Sequence, residues 1–312
     1  RLSLWFERKL RSLANNIYTA IFGDYHGESR TLAGGQIAWH PQGDYVASAV
    51  HGTVSVHRFG NAEATSRTSF LQWNVQVKCL IWVPNHTSTL VVGGDQGFAL
   101  WTCEDGLARD SGWICQFQTD SVGPIDLLEC CPSGRFLATV ADNRVYIWNI
   151  AVLACSQGQP LSRRDGFPLV LSRWSGGGIR SLAWDPVGTG LLAVGHDRGV
   201  RIWDSVQGWK QAFWRTKGPS LAVHWNRLAG SSSLVCTDGS NLFHMEVGTK
   251  LSCYDIEPRA VTLRWSDSRA EGYEQKALGP LKFMELDAAT GQRLALVHEG
   301  CEAIFIYEWL QG

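Results

Sequence analysis

The sequence predicts an all-β chain: a β-propeller, a radial array of short antiparallel sheets, with an amphipathic α-helix ahead of it. Three observations carry the prediction. The stretch Gly177–Asp204 holds three apolar runs (Ile179–Trp184, Leu191–Val194, Val200–Trp203) separated by Pro, Gly and Asp, the pattern of short antiparallel strands joined by tight turns. An Asp stands six residues before an aromatic ring at Asp197/Trp203, and the spacing recurs at Asp95/Trp101, Asp142/Trp148 and Asp238/His244, with a degraded copy at His51/His57. Upstream of each lies an aromatic-x-Pro signal or its relic, at Trp39-His40-Pro41, Trp82-Val83-Pro84, Cys130-Cys131-Pro132, Trp184-Asp185-Pro186 and Trp225-Asn226-Arg227. A repeat of this kind means one sheet per copy, each burying its faces only against its neighbours.

Composition agrees. A chain of 312 residues with 33 Gly, 15 Trp and two Met suits many short strands, tight turns and large rings that fill the gaps between sheets. No apolar run approaches the length of a membrane span. The formal charge of −1 offers no global attraction to nucleic acid, so none is expected as a partner. Nine Cys, with no C-x-x-C pair, read mainly as reduced structural thiols; Cys79, Cys130 and Cys236 fall inside predicted strands, and a disulfide or metal site elsewhere stays open.

Taken in order, residues 1–25 stand outside the repeat. Leu2, Trp5, Phe6, Leu10, Leu13, Ile17, Ile21 and Phe22 recur at three- and four-residue steps, and Gly23-Asp24 supplies a stop. Arg1, Arg8, Lys9 and Arg11 make the first half of this helix basic. Its stripe packs on the propeller itself, docks in a partner's groove, or lies on a membrane surface. The candidate partner-binding residues are Leu2, Trp5, Phe6, Arg8, Lys9, Leu10, Leu13 and Ile17.

A linker over 26–35 leads to the propeller at 36–312, with blades near 36–59, 77–102, 124–149, 177–204, 220–247 and 281–309. The stretch Phe70-Leu71-Gln72-Trp73 reads as an outer strand. Gly93-Gly94-Asp95-Gln96-Gly97 precedes a strand and lacks Lys, so it is a turn rather than a phosphate loop. Residues 151–175 form a longer connection with Arg163-Arg164 at its middle, and Gly176-Gly177-Gly178 leads into blade four. Trp209 and Trp214 are expected in the outer strand of that blade and the crossing to the next, and another outer strand near Val261–Trp265. Gly291, Leu294–Val297 and Ile304–Tyr307 place the sixth blade. Rings of this type most often have seven blades, so a last blade is expected to be incomplete or absent from this chain.

The half-repeat His196-Asp197-Arg198-Gly199 with its closing Trp203-Asp204 resembles the WD repeat. Its structural residues here are Trp39, Trp82, Asp95, Trp101, Asp142, Trp148, Trp184, Asp197, Trp203, Trp225 and Asp238. Because every blade has its own version of the same position, His196-Asp197 and Asp142 read as turn residues rather than catalytic groups. G-x-S-x-G, H-E-x-x-H and Walker patterns are absent from the sequence. No enzymatic activity, cofactor or metal is expected.

A closer resemblance spans nearly the whole chain. Ile37-Ala38-Trp39-His40-Pro41, Leu71-Gln72-Trp73-Asn74-Val75, Leu80-Ile81-Trp82-Val83-Pro84 and Leu100-Trp101-Thr102 resemble the ALADIN family of WD-repeat nucleoporins. So do Gly176-Gly177-Gly178-Ile179, Leu182-Ala183-Trp184, Val200-Arg201-Ile202-Trp203-Asp204 and the spaced Trp209 and Trp214. The resemblance implies a non-enzymatic scaffold subunit of the nuclear pore complex. Such a subunit is held at the nuclear envelope through a membrane-spanning nucleoporin, among other pore scaffold proteins, so its membrane association is indirect or runs through the helix. Cys130-Cys131-Pro132 and Asn226-Arg227 depart from the family signal. The alternative is a generic WD-repeat adaptor, such as a ubiquitin-ligase substrate receptor or a chromatin-associated peptide reader, which predicts a cationic or aromatic cluster at the channel mouth.

Overall fold

The computed structural model describes residues 36–41, 45–50, 52–58, 68–73, 75–86, 88–103, 112–156, 168–171, 177–216, 218–226, 233–238, 241–247, 258–260, 264–265, 281–286, 293–298 and 305–308. The predicted helix at 1–25 and the linker at 26–35 lie outside them. Six four-stranded antiparallel sheets are present among the described residues. Sheet one holds Gln36–Trp39 (β1), Tyr45–Val50 (β2), Thr53–Arg58 (β3) and Thr68–Gln72 (β4). Sheet two holds Val77–Trp82 (β5), Thr89–Gly94 (β6), Gly97–Cys103 (β7) and Trp113–Thr119 (β8). Sheet three holds Leu127–Cys130 (β9), Phe136–Ala141 (β10), Arg144–Asn149 (β11) and Leu169–Leu171 (β12). Sheet four holds Ile179–Trp184 (β13), Leu191–His196 (β14), Gly199–Asp204 (β15) and Lys210–Arg215 (β16). Sheet five holds Val223–Asn226 (β17), Ser233–Asp238 (β18), Asn241–Glu246 (β19) and Pro258–Ala260 (β20).

Sheet six differs. Leu281–Leu286 (β22), Arg293–His298 (β23) and Phe305–Glu308 (β24) follow the common order, but the outer place beside β24 is taken by Arg264–Trp265 (β21), which precedes all three. Of the stretch expected as one outer strand near Val261–Trp265, the described part, Arg264–Trp265, edges sheet six, while sheet five is closed by β20 just before that stretch. The connection expected at 151–175 contains a short helix, Ile150–Cys155 (α1), capped by the Asn149 side chain, which accepts from the Ala151 N–H at 3.1 Å. Trp214 lies in β16 and Trp209 in the turn just before it.

The first strands neighbour one another in the order β1, β5, β9, β13, β17, β22, and the cores lie in the seams between sheets. Val54, Trp82 and Leu90 pack between sheets one and two, Phe98, Leu137 and Trp148 between two and three. Ile147, Trp184 and Trp203 fill the next seam, Val200, Trp225 and Met245 the one after. A middle strand touches both neighbouring seams, which is why Thr89–Gly94 and Leu191–His196 are buried at every position and read as continuous apolar runs. Outer strands are half wet: in β16 only Ala212 is buried.

The turn between second and third strands is solved in two ways. Gly97 (φ +100°) and Gly199 (φ +146°) take the left-handed region in sheets two and four. A Cβ at Gly199 would stand 2.0 Å from the Trp214 carbonyl oxygen, so only glycine fits. In sheet three Asp142 (φ +49°) and Asn143 (φ +56°) share the left-handed conformation of a two-residue hairpin turn, which Asp and Asn tolerate.

Candidate interaction surface

Antiparallel pairing puts the second-to-third turns at one end of each sheet, with the connections between sheets one to five at that same end. Asp95, Asp142 and Asp197 each open the two-residue turn there, between the pairs Gly94/Gly97, Ala141/Arg144 and His196/Gly199. Asp238 does not: it is the last residue of β18 and pairs with Asn241. The residue facing Leu234 is the buried Met245, in the register that Trp101, Trp148 and Trp203 hold opposite Leu90, Leu137 and Leu192. The six-residue count therefore belongs to Met245, and counting back from His244 shifts the turn by one.

Asp197 shows what the turn carboxylate does. It accepts from the Gly178 N–H at 2.6 Å and from Arg180 Nε at 2.6 Å, tying the incoming connection to the hairpin. The Arg180 hydrogen bond holds the Asp197 carboxyl below its usual range. Its two acceptor atoms are committed to structure.

The tryptophans divide into two sets. On the first strands, Trp82 Nε1 donates to the Ala38 carbonyl (3.1 Å), Trp184 Nε1 to Glu129 (3.3 Å) and Trp225 Nε1 to Ala183 (2.9 Å). Each bond crosses a seam to the residue just before the equivalent position of the preceding blade, so the indoles bolt neighbouring sheets in register. Cys130 has no ring and cannot continue the series across the seam between sheets two and three, where Phe98, Phe117 and Trp148 cluster instead. Trp39 is 43% exposed at the end of β1. On the third strands, Trp148 Nε1 donates to Thr139 Oγ1 at 3.0 Å, fully buried. The register puts Val92 and Val194 where Thr139 stands, and the buried Nε1 atoms of Trp101 and Trp203 have no hydrogen-bond partner.

Cations mark the start of the first strands, at the second-to-third-turn end of their sheets. Lys78 and Arg180 each sit at a register shift, between Val77 and Cys79 and between Ile179 and Ser181, and Lys282 occupies the same shift in β22. Lys78 Nζ reaches Asp126 at 2.9 Å, and both side chains stay exposed. Each cation lies four residues before the end of its strand, yet the bulge that singles it out leaves no mark in the sequence pattern. On sheet four, Phe213 is stacked by His196 (centroids 5.4 Å apart) and covered by the Arg201 guanidinium at 5.2 Å, with Arg201 Nη1 donating to Gln211 Oε1 at 2.6 Å. Burial, then the nearby Arg201 charge, pushes the His196 imidazole down to about 4.

Leu2, Trp5, Phe6, Arg8, Lys9, Leu10, Leu13 and Ile17 lie outside the described residues. Among the described residues, no three His, Cys, Asp or Glu side chains converge as metal ligands, and no helix is long and apolar enough to cross a membrane.

A family model described as "WD domain, G-beta repeat" matches residues 122–149 and 169–204. The β-propeller domain of Cps50 (Swd1) from Myceliophteria thermophila is similar in structure, with a TM-score of 0.60 at 13% sequence identity over 91% of this chain and 85% of that one. The chain is thus an all-β, WD40 β-propeller-like protein whose described residues form four-stranded antiparallel sheets with little helix among them.

Proposed function

We propose that this propeller is a non-enzymatic interaction scaffold of the nuclear pore complex. It is held at the nuclear envelope through a membrane-spanning nucleoporin and contributes to nucleocytoplasmic transport. The WD-repeat architecture supports the scaffold role, because sheets bolted through Trp82, Trp184 and Trp225 present rigid rims with variable turns. The observation that carries the pore assignment is the run of ALADIN-like segments from Ile37–Pro41 to Trp209 and Trp214. Affinity purification from a nuclear-envelope fraction, followed by crosslinking mass spectrometry, tests it. Crosslinks from Lys9 to a membrane nucleoporin are expected, and removal of residues 1–25 is expected to release the protein from the envelope. Recovery with a ubiquitin ligase or chromatin complex, and no pore proteins, would sink the pore reading.

One observation favours the adaptor reading instead: Lys78 and Arg180 are exposed cations at the second-to-third-turn end of sheets two and four, each paired with a carboxylate, Asp126 and Asp197. That reading predicts that Lys78→Glu with Arg180→Glu abolishes partner recovery, whereas the pore reading predicts that recovery survives.

A further inference from the structure

The opposite end of sheet four, where first-to-second and third-to-fourth turns lie, carries the two most exposed large apolar side chains among the described residues. Val206 is 77% and Val187 66% exposed. Both are held out by the same device. The buried Asp185 accepts from the Val187 N–H at 3.0 Å, and the buried Asp204 accepts from the Val206 and Gln207 N–H groups at 2.9 and 3.0 Å. Ser205 joins the two turns, its N–H and hydroxyl both donating to the Gly190 carbonyl at 3.0 and 2.7 Å. The valines are therefore presented on a fixed base, so little conformational freedom remains to be lost when they are covered.

An aromatic floor continues the patch toward sheet three. Trp209 lies 5.9 Å from Phe136 and 6.1 Å from Trp184, near-perpendicular to both, and holds a left-handed backbone (φ +63°) that a bulky side chain rarely adopts. The exposed Arg135 lies over the Phe136 ring at 4.9 Å, and the exposed Lys210 follows Trp209. The two acids at this end, Asp185 and Asp204, are buried and committed to their turns. Its exposed charges, among the described residues, are thus the cations Arg135 and Lys210.

We propose that this end of sheets three and four docks an acidic, apolar segment of a partner protein, with Val187 and Val206 entering apolar contacts and Arg135 and Lys210 meeting its carboxylates. The surface lies at the opposite end of sheet four from Arg180 and the Asp197 turn. The test is Val206→p-benzoylphenylalanine in the full chain, photo-crosslinked in cells, with the crosslinked segment sequenced. The expected result is a protein segment rich in Asp or Glu and apolar residues, whose capture is lost with Val187→Asp. A synthetic peptide of that segment should bind the purified chain about tenfold more weakly after Val187→Asp. Lys210→Glu, which leaves both turns intact, should weaken binding severalfold and flatten its salt dependence. Crosslinks to lipid, to a second copy of this chain, to a segment without acidic residues, or to nothing would each overturn the proposal, as would unchanged binding by both variants.

Discussion

Thr139→Val tests the reading of the third-strand tryptophans. Thr139 is fully buried, and its Oγ1 is the acceptor for Trp148 Nε1 at 3.0 Å. Valine keeps the shape and removes the acceptor, leaving an indole N–H in a dry seam beside Phe98 and Phe117. An orphaned buried donor costs about 1–3 kcal/mol, and the extra apolar methyl offsets part of it, so a net loss of about 1–2 kcal/mol is expected. In a chain of this size that is a fall in Tm of about 1.5–3 °C. Sheet four supplies the reverse experiment. Val194 has the register of Thr139, and Trp203 Nε1 is buried without a partner, so Val194→Thr should stabilise by about 0.5–1 kcal/mol. Urea denaturation of wild type, both single variants and the double would measure this, the seams being separate enough for near-additivity. A neutral Thr139→Val, or a Val194→Thr that destabilises, would refute the claim that the indole hydrogen bond matters to the seam.

Three further outcomes follow from the same geometry. Gly199→Ala forces a Cβ against the Trp214 carbonyl in a left-handed backbone and should cost more than about 2 kcal/mol, visible as a lower midpoint in thermal unfolding. His196 is neutral in the fold, with its Nδ1 accepting from the Arg198 N–H at 3.2 Å. Since its folded value of about 4 lies below the unfolded 6.5, its contribution is complete above pH 6.5 and fades as pH falls toward 4; His196→Gln should remove that share of the acid sensitivity in pH-dependent urea midpoints. Among the described cysteines, thiol labelling of the native chain should reach the exposed Cys155 first, while Cys130, buried, and Cys79, whose thiol burial pushes up to about 12, react only on unfolding; rapid labelling of Cys79 would contradict the packing of that seam.

Periodicity carried the fold class. Three apolar runs per copy, turn residues at fixed offsets and an aromatic-x-Pro signal are local chemistry, and local chemistry is written in the order of residues. It could place Asp95, Asp142 and Asp197 at their turns, because a hairpin turn is specified by the few residues within it. It misplaced Asp238 because nothing local distinguishes a count to His244 from a count to Met245; only pairing with Leu234 does. The same limit hid the short helix after Asn149, whose cap is a single side chain, and the division of 258–265 between two sheets, which depends on what lies alongside.

What the chain by itself determined, then, is a set of sheets with their turns and their large rings. The tertiary structure decided what those rings touch. That Trp82, Trp184 and Trp225 donate across seams, that Trp148 has an acceptor while Trp101 and Trp203 have none, and that Val187, Val206 and Lys210 of sheet four lie at the same end as Arg135 of sheet three are relations between residues far apart in the chain or on different strands. Such contacts depend on register and on the neighbouring sheet, and a repeat read along one strand holds neither.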